Sequence, residues 1–358
     1  MLKVEVIGCI LVALFGLPIN LISFIALIRR FRKKQNTVLL LHISLNISDI
    51  LVTGVFCTGY AAWTAVGEWL AGSVLCKLSR VNDQFVMCLS SNIIVCIAYD
   101  RLSIFARPPQ QRSRLRRTMI FVLVACVAAL VCALPQAFLW QTVSVVDEVH
   151  CASYWVIKHI QMGGDLSPSD ELTMDLYNIY SCVVMFWLPF TVTVFCYVRI
   201  VVYVFETFHM AKRDQLSESR LPSSLPRSSM QQNGHRLLVI RRDTTASRSV
   251  TKSDTSSGDS HGRLRRARSH SMRVALSLIT VYFITWVPYN SLVVWSVVAH
   301  DSYRQKESVL YFLYLWIMLN SVVNPFIYGR IKWKSLRATL LSAPNVVRLI
   351  FRYPSSSY

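Results

Sequence analysis

An all-α membrane protein, a bundle of seven transmembrane helices, is the fold this sequence predicts, and three observations predict it. Hydrophobic residues make up 53% of the 358 and charged ones only 16%, a balance too apolar for an ordinary water-soluble domain. The apolar residues gather into seven segments, roughly 4–28, 38–62, 78–99, 118–140, 176–204, 273–299 and 309–329, each close to the ~20 residues that carry a helix across a bilayer core. The basic residues are confined to alternate gaps between those segments, which is the charge asymmetry that orients spans in a membrane.

The first segment runs into Arg29, Arg30, Arg32, Lys33 and Lys34. That stop-transfer cluster, with no A-x-A site before it, marks a span rather than a signal peptide that would use Lys3 as its charged start. The second span carries Asp49, and the sequon Asn46-Ile47-Ser48 lies inside it, out of reach of glycosylation. The third span ends at Asp100 and Arg101, and the gap after it holds Arg107, Arg112, Arg114, Arg116 and Arg117. The fourth span has no charged residue, and the gap that follows carries Asp147, Glu148, Asp165, Asp170 and Glu171 against Lys158. The positive-inside rule then puts the first and third gaps and the C-terminus in the cytoplasm, and the acidic gap and a very short N-terminus outside. A net charge of +19 would suit nucleic acid if it covered one face; divided among gaps, it serves topology, and no nucleic-acid partner is expected.

Residues 1–205 are therefore helices one to five. Residues 206–272, rich in Ser, Arg and Pro and poor in aromatics, are expected to form a disordered basic third cytoplasmic loop. Its "RRDTT" (241–245) and "RRARSHS" (265–271) suit basophilic kinases. Residues 273–330 hold helices six and seven. Residues 331–358 begin with "RIKWKSLRATLLS", which sets Trp333, Leu336, Leu340 and Leu341 on one helical face, the pattern of a short amphipathic helix lying on the inner membrane surface.

Ten cysteines are too scattered for a disulfide framework, and most lie inside apolar spans, where a buried thiol is the plain reading. Cys76, at the outer end of the third span, and Cys151, in the acidic loop, face an oxidising compartment and are expected to pair, with Cys9 and Cys57 as competitors.

Ionisable groups inside spans are costly and tend to mark function. Asp49, with Ser90, Asn320, Ser321 and Asn324, makes a cluster of oxygens suited to a small cation such as sodium or to a water network; packing polarity is the plainer reading. Asp100 is the obvious partner for Arg101, and Tyr197 and Tyr328 lie at similar inner depth, giving the elements of a two-state switch. Pro288 and Pro325 bend the sixth and seventh spans, and Trp286 sits beside the first bend. Asp83 stands about 10 Å down the third helix from Cys76 at 1.5 Å per residue. With Gln84, Met87, Trp286, Tyr289 and Asn290 it faces an expected outer cavity. Two readings stay open for it: a counter-ion for a ligand cation, or an i,i+3 pair with Arg80.

These residues together resemble the rhodopsin-like (class A) G-protein-coupled receptors over nearly the whole chain. The matching pieces are Asn20, "LNISD" ending in Asp49, Trp69 and Cys76, "DRL" at 100–102, Pro189 with Tyr197, "TWVPY" at 285–289 and "NSVVNPFIY" at 320–328. Within that class "CLSSNIIVCIAYDR" (88–101), "DRLSIFARP" (100–108), "WVPYNSLVVW" (286–295) and "NPFIYGRIKW" (324–333) look closest to the gonadotropin-releasing-hormone and adipokinetic-hormone receptor branch near the vasopressin receptors. The resemblance implies a plasma-membrane receptor for an extracellular peptide hormone or neuropeptide, and a heterotrimeric G protein engaged by Arg101 once Asp100 releases it. It also implies arrestin and receptor kinases as further partners, and no cofactor beyond a bound sodium ion. Asp83, Gln84, Met87, Trp286, Tyr289 and Asn290 would contact ligand, and Asp100, Arg101, Tyr197, Trp286, Asn324, Pro325 and Tyr328 would form the activation switch. The branch tends to carry a basic residue where Asp83 stands. The base of the sixth span, "RRARSHS", has no acid to bridge to Arg101, which implies some basal activity.

An acid at Asp83 is the signature of amine receptors, so a biogenic-amine receptor is the alternative; Tyr289, Asn290 and Met318 depart from that pattern. The seventh span has no lysine for a retinal Schiff base. A channel or transporter would need a polar pore face or repeated broken helices, and the sequence has neither. With no G-x-S-x-G, H-E-x-x-H or Gly-rich phosphate loop, an enzyme is not expected.

Overall fold

Helix ends fall where the apolar runs break. The computed structural model describes residues 2–106, 111–163, 166–218, 255–299, 302–303 and 312–329. Helix α1 (Leu2–Lys33) closes on the basic cluster. The next helix, α2 (Thr37–Ile50), starts on Asn36, whose side-chain oxygen accepts from the Val38 amide at 3.1 Å, an N-cap that satisfies one of the first-turn N–H groups. A π-helical turn, Leu51–Phe56, leads into α3 (Cys57–Val66), which stops at Gly67 with φ +88°, the left-handed geometry glycine tolerates. Then come α4 (Gly72–Ala106), α5 (Gln111–Ala133) and a single turn, α6 (Gln136–Leu139).

Strands β1 (Trp140–Val145) and β2 (Glu148–Ser153) form an antiparallel hairpin with Trp140 opposite Ser153. Its turn, Val146 and Asp147, has φ of 48° and 67°, the positive pair that a two-residue hairpin turn demands. Cys151 in β2 is disulfide-bonded to Cys76 near the start of α4, Cα to Cα 5.7 Å, so the hairpin is tied across the top of the third span. The pairing is the one expected; neither Cys9 nor Cys57 is in a disulfide. Helix α7 (Tyr154–Met162) is clipped to the first turn of α8 (Pro168–Cys182) by Lys158, 2.7 Å from Asp170. That hydrogen bond raises the Lys158 ammonium above its ordinary range.

A second π-helical turn, Val183–Trp187, joins α8 to α9 (Leu188–Glu218). The long α10 (Thr255–Val298) follows, and α11 (Phe312–Trp316) and α12 (Met318–Gly329) complete the described helices.

Among the described residues, six of the expected seven spans appear as helices long and apolar enough to cross a membrane, including Thr37–Val66, Gly72–Phe105 and Ser271–Val298. The seventh is divided into α11 and α12 at Ile317, where the Asn320 amide donates to the Ile317 carbonyl at 3.1 Å. Helices α9 and α10 overrun the spans, so 206–218 and 255–272 of the stretch expected to be disordered are helical. Extending a helix already nucleated in an apolar span adds one hydrogen bond per residue fixed. The rest of that stretch, and the amphipathic helix expected after 330, lie outside the described residues.

Leu14, Phe15, Leu123 and Phe195 are each more than 60% exposed, a surface whose natural solvent is lipid. Inside, Leu45, Ile93, Phe186, Leu278, Tyr282 and Trp286 make one core. Two of its prolines, Pro189 and Pro325, are each answered by a donor from another helix. Pro189 brings no N–H to the Met185 carbonyl, its partner in a regular helix, and the Tyr282 hydroxyl donates there at 2.9 Å. Pro325 leaves the Ser321 carbonyl free in the same way, and the Asn20 side-chain amide donates to it at 3.0 Å.

Candidate functional site

At the disulfide end the helices part around a cavity of about 430 Å³. Asp83, Gln84 and Met87 of α4 and Trp286 and Tyr289 of α10 line it, with Phe56, Tyr60, Gln136, Trp140 and Met318 around them. The third span supplies its residues because 83, 84 and 87 fall on one helical face. Asp83 is not free there: Arg80 Nη2 lies 3.2 Å from its Oδ2. The same guanidinium stands over the rings of Trp63, at 5.1 Å, and Trp140, at 5.2 Å, so aromatic faces and a carboxylate share one cation. Of the two readings left open for Asp83, the structure has the i,i+3 pair. Asn290 does not line the cavity. It is 2% exposed, and its amide donates to the Trp286 carbonyl at 2.9 Å, so its helix turns it inward.

Below the cavity floor Trp286 is stacked parallel to Phe186 at 6.2 Å and tilted against Tyr282 at 5.5 Å. With the Tyr282 to Met185 hydrogen bond, this aromatic group couples the fifth span to the sixth.

At mid-depth Asp49 is fully buried. Asn324 donates to its two oxygens at 3.1 and 3.2 Å, and the Tyr328 hydroxyl donates to Oδ2 at 3.2 Å. Asn46 bridges outward, donating to Tyr328 Oη at 2.9 Å and to Asn20 Oδ1 at 2.7 Å. Three further oxygens, Ser90 Oγ, Asn320 Oδ1 and Asn324 Oδ1, are buried with no hydrogen-bond partner. One carboxylate with neutral oxygens fits a hard cation that takes oxygen ligands. Among the described residues no group of three or more His, Cys, Asp and Glu could hold a metal.

At the far end Arg101 and Asp100 are 5% and 6% exposed. Arg101 Nη2 reaches Asp100 Oδ2 at 2.5 Å, Arg114 of α5 reaches Oδ1 at 3.0 Å, and Arg101 Nη1 donates to the Ser271 hydroxyl of α10. Arg114 also donates to Thr37 at 3.1 Å. The absence of an acid at the base of the sixth span does not leave Arg101 unattached to that helix: the shorter, neutral Ser271 makes the bridge. Tyr197 Oη is buried with no partner, and Tyr328, bonded to Asp49 and stacked on His42 at 5.0 Å, makes no bond to Arg101.

The model of the seven-transmembrane receptors of the rhodopsin family matches residues 20–328. The chain belongs to that family. It is thus a multi-pass membrane receptor and not an enzyme. Among curated proteins the receptor is 26% identical to the G-protein coupled receptor daf-38 of Caenorhabditis elegans, over 91% of this chain and 88% of that one. It is 24% identical to a gonadotropin-releasing hormone receptor of Octopus vulgaris, over 91% and 70%, and 22% identical to one of Trichosurus vulpecula, over 91% and 88%.

The structure brings the expected Asp49 together with Asn324, and Asp100 with Arg101, and adds contacts from Tyr282, His42, Arg114 and Ser271 that the sequence reading does not assign to these clusters. Tyr282 had a signal: Pro189 announces a carbonyl in need of a donor. Arg114 had none, being one arginine among several in a basic gap.

Proposed function

We propose that this receptor binds an extracellular peptide hormone or neuropeptide at the disulfide end and activates a heterotrimeric G protein at the Arg101 end. The observation that carries the peptide reading over the amine one is the Arg80–Asp83 pair. An amine ligand needs a carboxylate free to take its charge, whereas here that charge is already met by Arg80 between two indoles. A wide, aromatic cavity with a neutralised ion pair suits a larger ligand held by several side chains. Two relatives are gonadotropin-releasing hormone receptors, which supports a peptide of the gonadotropin-releasing-hormone or adipokinetic-hormone kind. Gln84, Met87, Trp286 and Tyr289 would meet it.

In this reading the disulfide end faces outward at the plasma membrane and the basic gaps face the cytoplasm. Ligand acts only through its differential affinity for two receptor states. Pressure on Trp286 is passed through Phe186 and Tyr282 to the fifth and sixth spans. Arg101 then leaves Ser271 and Asp100 as the sixth span moves out, and engages the G protein. Asn324, Pro325 and Tyr328 would rearrange with it, as would Tyr197, whose hydroxyl awaits a partner. Sodium held by Asp49, Ser90, Asn320, Ser321 and Asn324 would favour the resting state. Arrestin and receptor kinases would act on the active one.

The test is calcium and cyclic-AMP signalling in cells expressing the chain, challenged with an amidated-neuropeptide library and a biogenic-amine panel, beside Arg101→Ala. A peptide response lost in Arg101→Ala is expected. An amine response abolished by Asp83→Ala would overturn the peptide reading.

A further inference from the structure

One carboxylate at the Arg101 end serves two guanidinium groups. Asp100 meets Arg101 at 2.5 Å and Arg114 at 3.0 Å, and each guanidinium brings a positive charge to one carboxylate. A positive charge is therefore left over in a site where Arg101 is 5% exposed. The Nε atoms of both arginines are buried without an acceptor. Such a site favours an added anion. What Arg101 finds on the sixth span instead is the neutral hydroxyl of Ser271.

Ser271 is also the last residue of "RRARSHS", with Arg268 three positions before it and Arg266 five before, the setting of a serine offered to a basophilic kinase. We propose that Ser271 is a phosphorylation site, and that its phosphate ion-pairs with Arg101 and holds the sixth span against the third. In the transfer, the Ser271 hydroxyl oxygen attacks the γ-phosphorus of ATP on a basophilic protein kinase. The Oγ–P bond forms, the bond to the β,γ-bridging oxygen breaks, ADP leaves, and the hydroxyl proton passes to the kinase's base.

The hydroxyl is occupied by Arg101 in the resting arrangement, so the kinase takes the open receptor as substrate. The product carries close to two negative charges and three acceptor oxygens, and meets the excess charge of Arg101 and Arg114 with charge-assisted bonds about twice as strong as neutral ones. A used receptor would thereby be closed again, whatever occupies its outer cavity. The functional consequence rests on the reading of Arg101 as the G-protein contact; the phosphate chemistry and the closure do not.

The experiment uses the full-length receptor in lipid nanodiscs without ligand, treated with a basophilic kinase and MgATP, and a matched sample then treated with phosphatase. Mass spectrometry locates the phosphate. Nitroxides at Phe105→Cys and Arg273→Cys, on exposed positions of the third and sixth spans, report the distance between them by electron resonance. Phosphate at Ser271 is expected, with the open population falling about fivefold or more; Ser271→Ala takes no phosphate there and keeps its open population under kinase. Phosphate found on Ser269 or the loop but not on Ser271 overturns the proposal, as does phosphate on Ser271 that leaves the distance unchanged. Closure by phosphate in a receptor that never accelerates nucleotide exchange on any G protein supports the proposal and sinks the coupling reading instead.

Discussion

The side-chain amide of Asn20 donates at 3.0 Å to the carbonyl of Ser321, the acceptor that Pro325, four residues on, leaves without its helical N–H. Asn20 Oδ1 accepts from Asn46 at 2.7 Å, so one amide ties the first, second and seventh spans. Each buried polar group left without a partner costs about 1–3 kcal/mol. Asn20→Ala is expected to lower the unfolding midpoint of detergent-solubilised receptor accordingly. In a Pro325→Ala background, which returns an N–H to the Ser321 carbonyl, the loss should shrink. An equal loss in both backgrounds would mean that the proline is not what the asparagine serves.

Tyr282 plays the matching part at the fifth span. Tyr282→Phe keeps the ring against Phe186 and Trp286 and removes only the hydroxyl that reaches the Met185 carbonyl. The expected loss is about 1–3 kcal/mol of stability, read by thermal unfolding. A variant as stable as the parent would show that water satisfies that carbonyl as well.

What could be read from the sequence was what local pattern carries. Hydropathy located the spans, and Cys76 with Cys151 stood out by their outer position, with Cys9 and Cys57 as the competing pair. Asp49 and Arg101 stood out because charge in an apolar segment is expensive. The partners were another matter: Ser271 lies 170 residues from Arg101, and nothing near it in the chain marks it as the bridge. The hairpin Trp140–Ser153 went unseen because its turn, Val146-Asp147, lacks the Asn-Gly or Asp-Gly signal. Asn290 lies one turn past Trp286, and its burial with its amide on the Trp286 carbonyl is a backbone contact that spacing alone does not reveal.

The Arg80–Asp83 pair is largely shielded, with side chains 13% and 17% exposed. Removing one partner of a buried pair leaves an uncompensated charge and costs about 3–5 kcal/mol, while removing both is near neutral. Arg80→Ala and Asp83→Ala should each depress surface expression and thermal stability, and the double variant should recover most of both. Additive losses in the double variant would show that the two charges are held independently, Arg80 by the indoles of Trp63 and Trp140 and Asp83 by something else.

The sodium reading of the Asp49 cluster makes a prediction that needs no ligand. Anything that binds the folded state alone stabilises it by RT ln(1 + [L]/Kd), about 2.7 kcal/mol at a hundredfold excess over Kd. Ser90 Oγ, Asn320 Oδ1 and Asn324 Oδ1 have no hydrogen-bond partner and would gain one ligand bond each. Sodium chloride should therefore raise the unfolding midpoint of purified receptor over choline chloride at equal ionic strength, a control that cancels general screening. Asp49→Asn removes the only carboxylate of the set, and the difference between the two salts should vanish with it. A midpoint indifferent to the cation in the parent would leave the cluster as a hydrogen-bonded core. A sodium shift that survives Asp49→Asn would place the ion elsewhere in the molecule.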